Sequence, residues 1–264
     1  MPSLRVCCLY VSLAVLFGSG ALTSSLSAQS VSAAPQAIVI GFVGGYVHQD
    51  DMVHNEVQLA AQLRKDFPSA AHVEMFENHR ATKAYERIVQ LLDTDRDGKL
   101  SADEKKSARI IIYGHSWGAS ETVHLANQLE KAGIPVLLTV QVDSIAKRGQ
   151  NDEIIPANVA QAANFYQADG LLHGRAKIRA ADPERTRILG NFRSDYKAHP
   201  VRCDQYPWFS RVFMKTHIEI ECDPNVWNHV DLLIRSNLPA PESGGSSPRI
   251  DAGNSLLSNP RRHD

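Results

Sequence analysis

RIIIYGHSWGAS, residues 109–120, runs an aliphatic segment straight into a serine fenced by two glycines. Ile110, Ile111 and Ile112 with Tyr113 form a short continuous apolar run, the pattern of a strand buried on both faces. Ala119 and Ser120 open a stretch that reads as helix through about Lys131, so Gly114-His115-Ser116-Trp117-Gly118 must turn sharply from strand to helix. Such a turn pushes the serine oxygen out of the sheet and close to backbone N–H donors. The backbone approach is tight enough to exclude side chains on either side, hence glycine at 114 and 118. The competing reading of these five residues is a plain β-to-α turn in which the serine caps the helix.

Working outward, AIVIGFV at 37–43 is a second buried strand, ending in glycines. Val57, Leu59, Ala60, Leu63 and Phe67 give helical spacing that stops at Pro68. AHVEMF at 71–76 reads as a strand, and Tyr85, Ile88, Val89 and Leu92 share one helical face. After the serine's helix, a Gly-Ile-Pro turn leads into VLLTVQV, residues 136–142. Strand and helix alternate with short connections, which predicts an α/β fold with a mostly parallel sheet and helices on both faces. VAQAANFYQ, residues 159–167, is open between strand and helix, and KIRAADPERTRILGNF, residues 177–192, reads as a hairpin excursion. No repeat and no linker interrupts 35–238, so one domain is expected there.

The ends read differently. Arg5 precedes the apolar run VCCLYVSLAVLFGSGAL, and a Ser/Ala-rich stretch follows with cleavage-type small residues at Leu26-Ser27-Ala28 and Ser32-Ala33-Ala34. Residues 1–34 are therefore expected to be a signal peptide, the alternative being a membrane anchor; the mature chain is expected to be secreted or periplasmic, with no stable membrane span. Residues 239–264 are rich in Pro, Gly and Ser and lack apolar periodicity, the composition of a disordered tail. With residues 1–34 removed, Cys203 and Cys222 are the two cysteines left. In an oxidising compartment they form a candidate disulfide, closing a loop worth roughly 3 kcal/mol. A net charge of −1 argues against nucleic acid as a partner.

At the elbow the chain resembles the α/β-hydrolases, in a compact form whose first strand corresponds to the third of the usual sheet. The resemblance covers roughly residues 36–236. It implies hydrolysis of a carboxylic ester or thioester, small-molecule or lipid, through an acyl-enzyme formed on Ser116, without an organic cofactor. The family's order of serine, acid and histidine requires a late histidine. His173, His199, His217, His229 and His263 are late enough. Asp223-Pro224 reads as the N-cap and first turn of a final helix, with Val226, Val230, Leu233 and Ile234 on its buried face. His217 thus falls in the loop before the last helix, where the family carries its base, whereas His229 falls inside the helix. Asp143, immediately after VLLTVQV, is the leading acid, with Asp152 and Asp169 as alternatives. The resemblance assigns the oxyanion hole to the backbone N–H groups of Trp117 and Phe42, with Val43 as the alternative to Phe42.

DTDRDGKLSADE, residues 93–104, carries a separate message. Asp93, Asp95, Asp97, Ser101 and Glu104 occupy the first, third, fifth, ninth and twelfth places, with Gly98 at the sixth. This is the spacing of an EF-hand calcium loop, in which Lys99 offers its carbonyl and Glu104 reaches back in bidentate fashion. The competing reading is a polar loop closed by a Ser101–Glu104 capping box. A structural calcium ion is expected here. Two further readings of the whole chain share these residues: an acyltransferase on the same scaffold, and a non-catalytic, calcium-stabilised binding module.

Overall fold

The structure, a computed structural model, describes residues 36–239. The expected signal peptide at 1–34 and the tail beyond 239 lie outside the described residues. In chain order the elements are β1 (Ala37–Val43), α1 (Asn55–Asp66), β2 (Ala71–Glu77), α2 (Ala81–Leu92) and α3 (Ala102–Lys106). Next come β3 (Ile110–His115), α4 (Trp117–Lys131), β4 (Val136–Val142), β5 (Ile154–Ile155) and β6 (Val159–Gln167). The remainder is β7 (Arg179–Ala180), β8 (Arg187–Ser194), α5 (Trp208–Phe213), α6 (Lys215–Cys222) and α7 (Pro224–Arg235).

Six strands form one sheet in the order β2-β1-β3-β4-β6-β8, and every neighbouring pair is parallel. The three isoleucines of β3 are fully buried because helices cover both faces. Val39, Ile111 and Val140 pack on one face against Val57 and Leu63 of α1 and Val226 and Val230 of α7. Ile40, Ile110 and Ile112 pack on the other against Ile88 of α2 and Val123 and Leu129 of α4. Each such aliphatic side chain contributes about 1.5–3 kcal/mol on burial, so the double-sided core dominates stability. Tyr113 is buried with its hydroxyl donating to the Glu56 carbonyl at 2.8 Å. An ion pair at the surface, Arg235 to Asp66 at 2.6 Å, joins α7 to α1.

The α/β architecture is the expected one, and two local expectations are corrected. Residues 177–192 do not form a hairpin: β8 runs parallel to β6 as the edge strand, and the two-residue strands β5 and β7 make a small ladder in the crossover. His217 does not lie in a loop but near the start of α6, a short helix in which Thr216 through Cys222 are all buried. A segment buried all round has no amphipathic stripe, and this one has no capping side chain at its start, so helix signals were missing. Asp223 caps α7 as expected, accepting from the Asn225 N–H. Cys203 and Cys222 are bridged, with their Cα atoms 5.9 Å apart, which ties the segment before α5 to the end of α6.

Candidate active site

The carboxyl ends of β3 and β4 build the site. β3 stops at His115, and Ser116 then adopts φ 57° and ψ −122°, a conformation that a non-glycine residue adopts only under constraint. The constraint is visible: the Ser116 N–H donates to the Val142 carbonyl, and its own carbonyl accepts from Ile145. The flanking glycines are required by contact. A Cβ at Gly118 would lie 2.3 Å from the Phe42 carbonyl oxygen, and one at Gly114 would lie 2.6 Å from the Gly118 backbone.

Ser116, His217 and Asp143 form one continuous chain of hydrogen bonds. Ser116 Oγ lies 2.9 Å from His217 Nε2, and His217 Nδ1 lies 2.6 Å from Asp143 Oδ2. Asp143 is fully buried, and it too has a positive φ, 45°. Its carboxylate also accepts from Gly174 N at 2.8 Å and Gln167 Nε2 at 2.9 Å. These bonds compensate the burial of the charge and fix the oxygen that faces the imidazole. The other two acid candidates are engaged elsewhere: Asp152 accepts from Arg175 at 2.9 Å and Ser144 at 2.7 Å. Asp169 lies 3.5 Å from Lys197 and 3.8 Å from Arg193. His229, the helical histidine, packs edge-on against Phe165. The arrangement offers a hydroxyl, a proton acceptor beside it and a buried carboxylate fixing that acceptor's tautomer.

Trp117 opens α4, where first-turn N–H groups have no carbonyl partner inside the helix. Phe42 is not placed to serve beside it. It is paired with both Phe76 of β2 and Gly114 of β3, is fully buried, and lies inside the ladder; Val43 is fully buried as well. The backbone that reaches the serine begins at Gly44, whose missing Cβ would sit 3.5 Å from Ser116 Cβ. The Gly44 carbonyl is anchored by the Asn78 amide at 2.5 Å. Gly44, Gly45 and Tyr46, which the sequence reading did not single out, line the cavity beside Ser116. A cavity of about 370 Å³ opens onto Ser116, Trp117 and His217, with Ile145, Leu172 and Phe209 among its apolar walls.

A buried polar cluster adjoins this site. His115, next to the serine, lies tilted against His217 with ring centroids 4.7 Å apart, and burial pushes its imidazole down to about 4. Glu221, one helical turn beyond His217, is hydrogen-bonded to His54 Nδ1 and to the Tyr206 hydroxyl at 2.8 Å. Burial alone would lower His54, but the Glu221 carboxylate outweighs it and carries the imidazole up to about 9. Burial and the neighbouring Glu221 charge push Glu56 up to about 8.

The acidic loop stands apart. Asp93, Asp95 and Asp97 each bring a carboxylate oxygen within 4.8 Å of the others. Gly98 takes φ +80°, and its N–H donates to Asp93 Oδ2 at 3.1 Å. Lys99 follows in the bend and donates its N–H to Asp97. Asp93 Oδ1 is buried without a partner, and this donor set fits a hard cation. Ser101 and Glu104 form the capping box of α3. Hydrogen bonds from Ser101 and Thr94 hold the Glu104 carboxyl down to about 2. The capping box is therefore present, and of the carboxylates in the calcium reading Asp93, Asp95 and Asp97 converge, whereas Glu104 turns both of its oxygens to Ser101 and Thr94.

No protein-family model matches the sequence, and no curated protein matches it. Among solved structures, a cutinase-like protein from Cryptococcus sp. is 12% identical, with 78% of this chain and 96% of that chain covered and a TM-score of 0.40. A thermostable esterase from Pseudomonas putida is 11% identical, with 80% and 77% covered and a TM-score of 0.42. ClbQ from the colibactin NRPS/PKS pathway is 10% identical, with 76% and 98% covered and a TM-score of 0.33. Similarity at this level carries no argument about activity.

Proposed function

We propose that this chain is a serine hydrolase that cleaves carboxylic ester or thioester bonds through an acyl-enzyme. The observation that carries the reading is the hydrogen-bonded chain Ser116–His217–Asp143 opening onto a cavity. In the first half-reaction Ser116 Oγ attacks the carbonyl carbon while His217 Nε2 takes its proton, and Asp143 stabilises the imidazolium. The oxyanion draws on the Trp117 N–H and on a backbone N–H of the Gly44–Tyr46 loop. His217 then returns the proton to the departing alcohol or thiol. Water, deprotonated by the same imidazole, attacks the acyl-enzyme, and the serine is released with the carboxylic acid.

The apolar cavity walls favour an aliphatic or aromatic acyl group. At the cavity's rim α5 leaves Trp208, Val212 and Phe213 largely exposed, which suits a lipid-like substrate. The Cys203–Cys222 bridge supports an oxidising compartment, in keeping with export. No described helix is long and apolar enough to cross a membrane. The convergence of Asp93, Asp95 and Asp97 supports calcium in the loop that leads, through α3, into β3. Hydrolysis of p-nitrophenyl esters of graded chain length tests the activity. Turnover that disappears in both Ser116→Ala and His217→Ala supports it, and turnover that survives either substitution at the wild-type rate refutes it.

A further inference from the structure

The buried cluster behind the candidate triad has a composition that hydrolysis does not use. His54 immediately precedes α1, Glu56 stands in that helix's first turn, and Glu221 lies near the end of α6. One imidazole nitrogen and two carboxylate oxygens from these three residues all lie within 4.8 Å of one another. Glu56 is fully buried, and neither of its carboxylate oxygens has a hydrogen-bond partner. The backbone amides of Gly44 and of Glu56 itself lie on the side that favours its charged form, but neither makes a hydrogen bond to it. A buried carboxyl group without partners, facing a buried carboxylate, is costly whether or not it holds its proton.

We propose that His54, Glu56 and Glu221 bind a divalent cation of the zinc class, at a site separate from the acidic loop. Two carboxylates balance the charge of one divalent ion, and the ion supplies the partner that Glu56 lacks. Imidazole with carboxylates suits zinc and its first-row neighbours, whereas calcium requires six to eight oxygen ligands that this pocket does not offer. Donor atoms around tetrahedral zinc stand roughly 3.3 Å apart for bonds of about 2.0 Å. The His54–Glu221 pair is already closer than that, so binding asks for local opening there rather than a rearrangement of helices. Tyr206, which hydrogen-bonds Glu221, and Asp51, 3.8 Å from His54 Nε2, stand where outer partners orient metal ligands.

The consequence is mechanical. The ion ties the start of α1 to the last turn of α6, and His217 stands one turn earlier on that same helix. This inference does not depend on Ser116 acting as a nucleophile, since binding is read without turnover.

The full-length protein is stripped with chelator, supplied with excess calcium to saturate the acidic loop, then titrated with zinc and desalted. Metal analysis is expected to find one zinc per chain. Cobalt in place of zinc is expected to give visible d–d absorption bands of a low-coordinate site, a readout that needs no variant. His54→Ala and Glu56→Gln should each weaken zinc binding by more than the roughly 10–100-fold that loss of an outer partner causes. Far-ultraviolet circular dichroism verifies that both variants are folded. Wild-type protein that retains no zinc overturns the proposal, as does zinc retained equally by both variants. Zinc lost on Asp93→Asn instead places the ion in the acidic loop, and likewise overturns it.

Discussion

Replacing Gly118 with alanine asks whether the elbow depends on bare backbone. A Cβ at 118 would lie 2.3 Å from the Phe42 carbonyl oxygen and 2.6 Å from that of Val43, about 1.1 Å short of ordinary contact at 3.4 Å for the closer one. Both oxygens belong to β1, which is held by ladders to β2 and β3 and has little room to give. The elbow must therefore move, and with it Ser116. A displacement of about 1 Å at a reacting atom costs on the order of 100-fold in rate, and the overpacking costs roughly 1–3 kcal/mol of stability. Gly133→Ala is the control: its φ of +70° brings left-handed strain of about 1–2 kcal/mol, but no atom lies within 4 Å of the new carbon. Two variants of similar stability loss should differ sharply in p-nitrophenyl butyrate hydrolysis. Gly118→Ala should fall about 100-fold and Gly133→Ala should stay within about twofold of wild type. A folded Gly118→Ala that turns over at the wild-type rate would refute the steric argument.

Three further outcomes are expected. Asp143→Asn should lower ester turnover by on the order of 10³–10⁴-fold while leaving the fold intact, because an amide N–H donating to Nδ1 holds His217 in the wrong tautomer. A loss below tenfold would return the acid's role to another carboxylate. The Arg235 hydrogen bond holds the Asp66 carboxyl below its ordinary 3.8, so its contribution to stability is present above that value and fades as pH falls through the lowered one. Thermal melts of Asp66→Asn and wild type should therefore differ at neutral pH and converge in strong acid, and a pH-independent difference would contradict the ion pair's part. Chelating calcium should lower the melting temperature by about 5–10 °C, the effect of removing an ion present at roughly 100 times its dissociation constant. Superposable melting curves would dispose of the calcium site.

Much of the fold was legible because its signals are local. β1, β3 and β4 are dominated by aliphatic residues, and Pro68, Gly133 and the Asp223-Pro224 cap mark where helices stop or start. What resisted reading was long-range. β6 carries buried polar residues such as Asn164, whose side chain bonds Arg175 and Asn191, so its pattern is not that of an apolar strand. β8 is an edge strand half-exposed along most of its length, and the crossover joining it to β6 contains no helix to announce a parallel pair.

The candidate site divides in the same way. Ser116 was legible from its flanking glycines, and Asp143 from its place at a strand end. The choice of Asp143 over Asp152 depends on Arg175 and Ser144 occupying the latter, which no spacing reveals. Phe42, to which the resemblance pointed, stays with Val43 in the ladder to β2, a pairing that the run AIVIGFV does not announce. The Glu56–Glu221 pair was invisible because its members are 165 positions apart and meet only in the folded chain.

The central claim is that Ser116 is an activated nucleophile, and a fluorophosphonate probe tests it most directly. The account predicts covalent labelling that mass spectrometry maps to Ser116, abolished in Ser116→Ala and strongly slowed in His217→Ala. Labelling on another residue, or an unreactive Ser116 in folded protein, would contradict it.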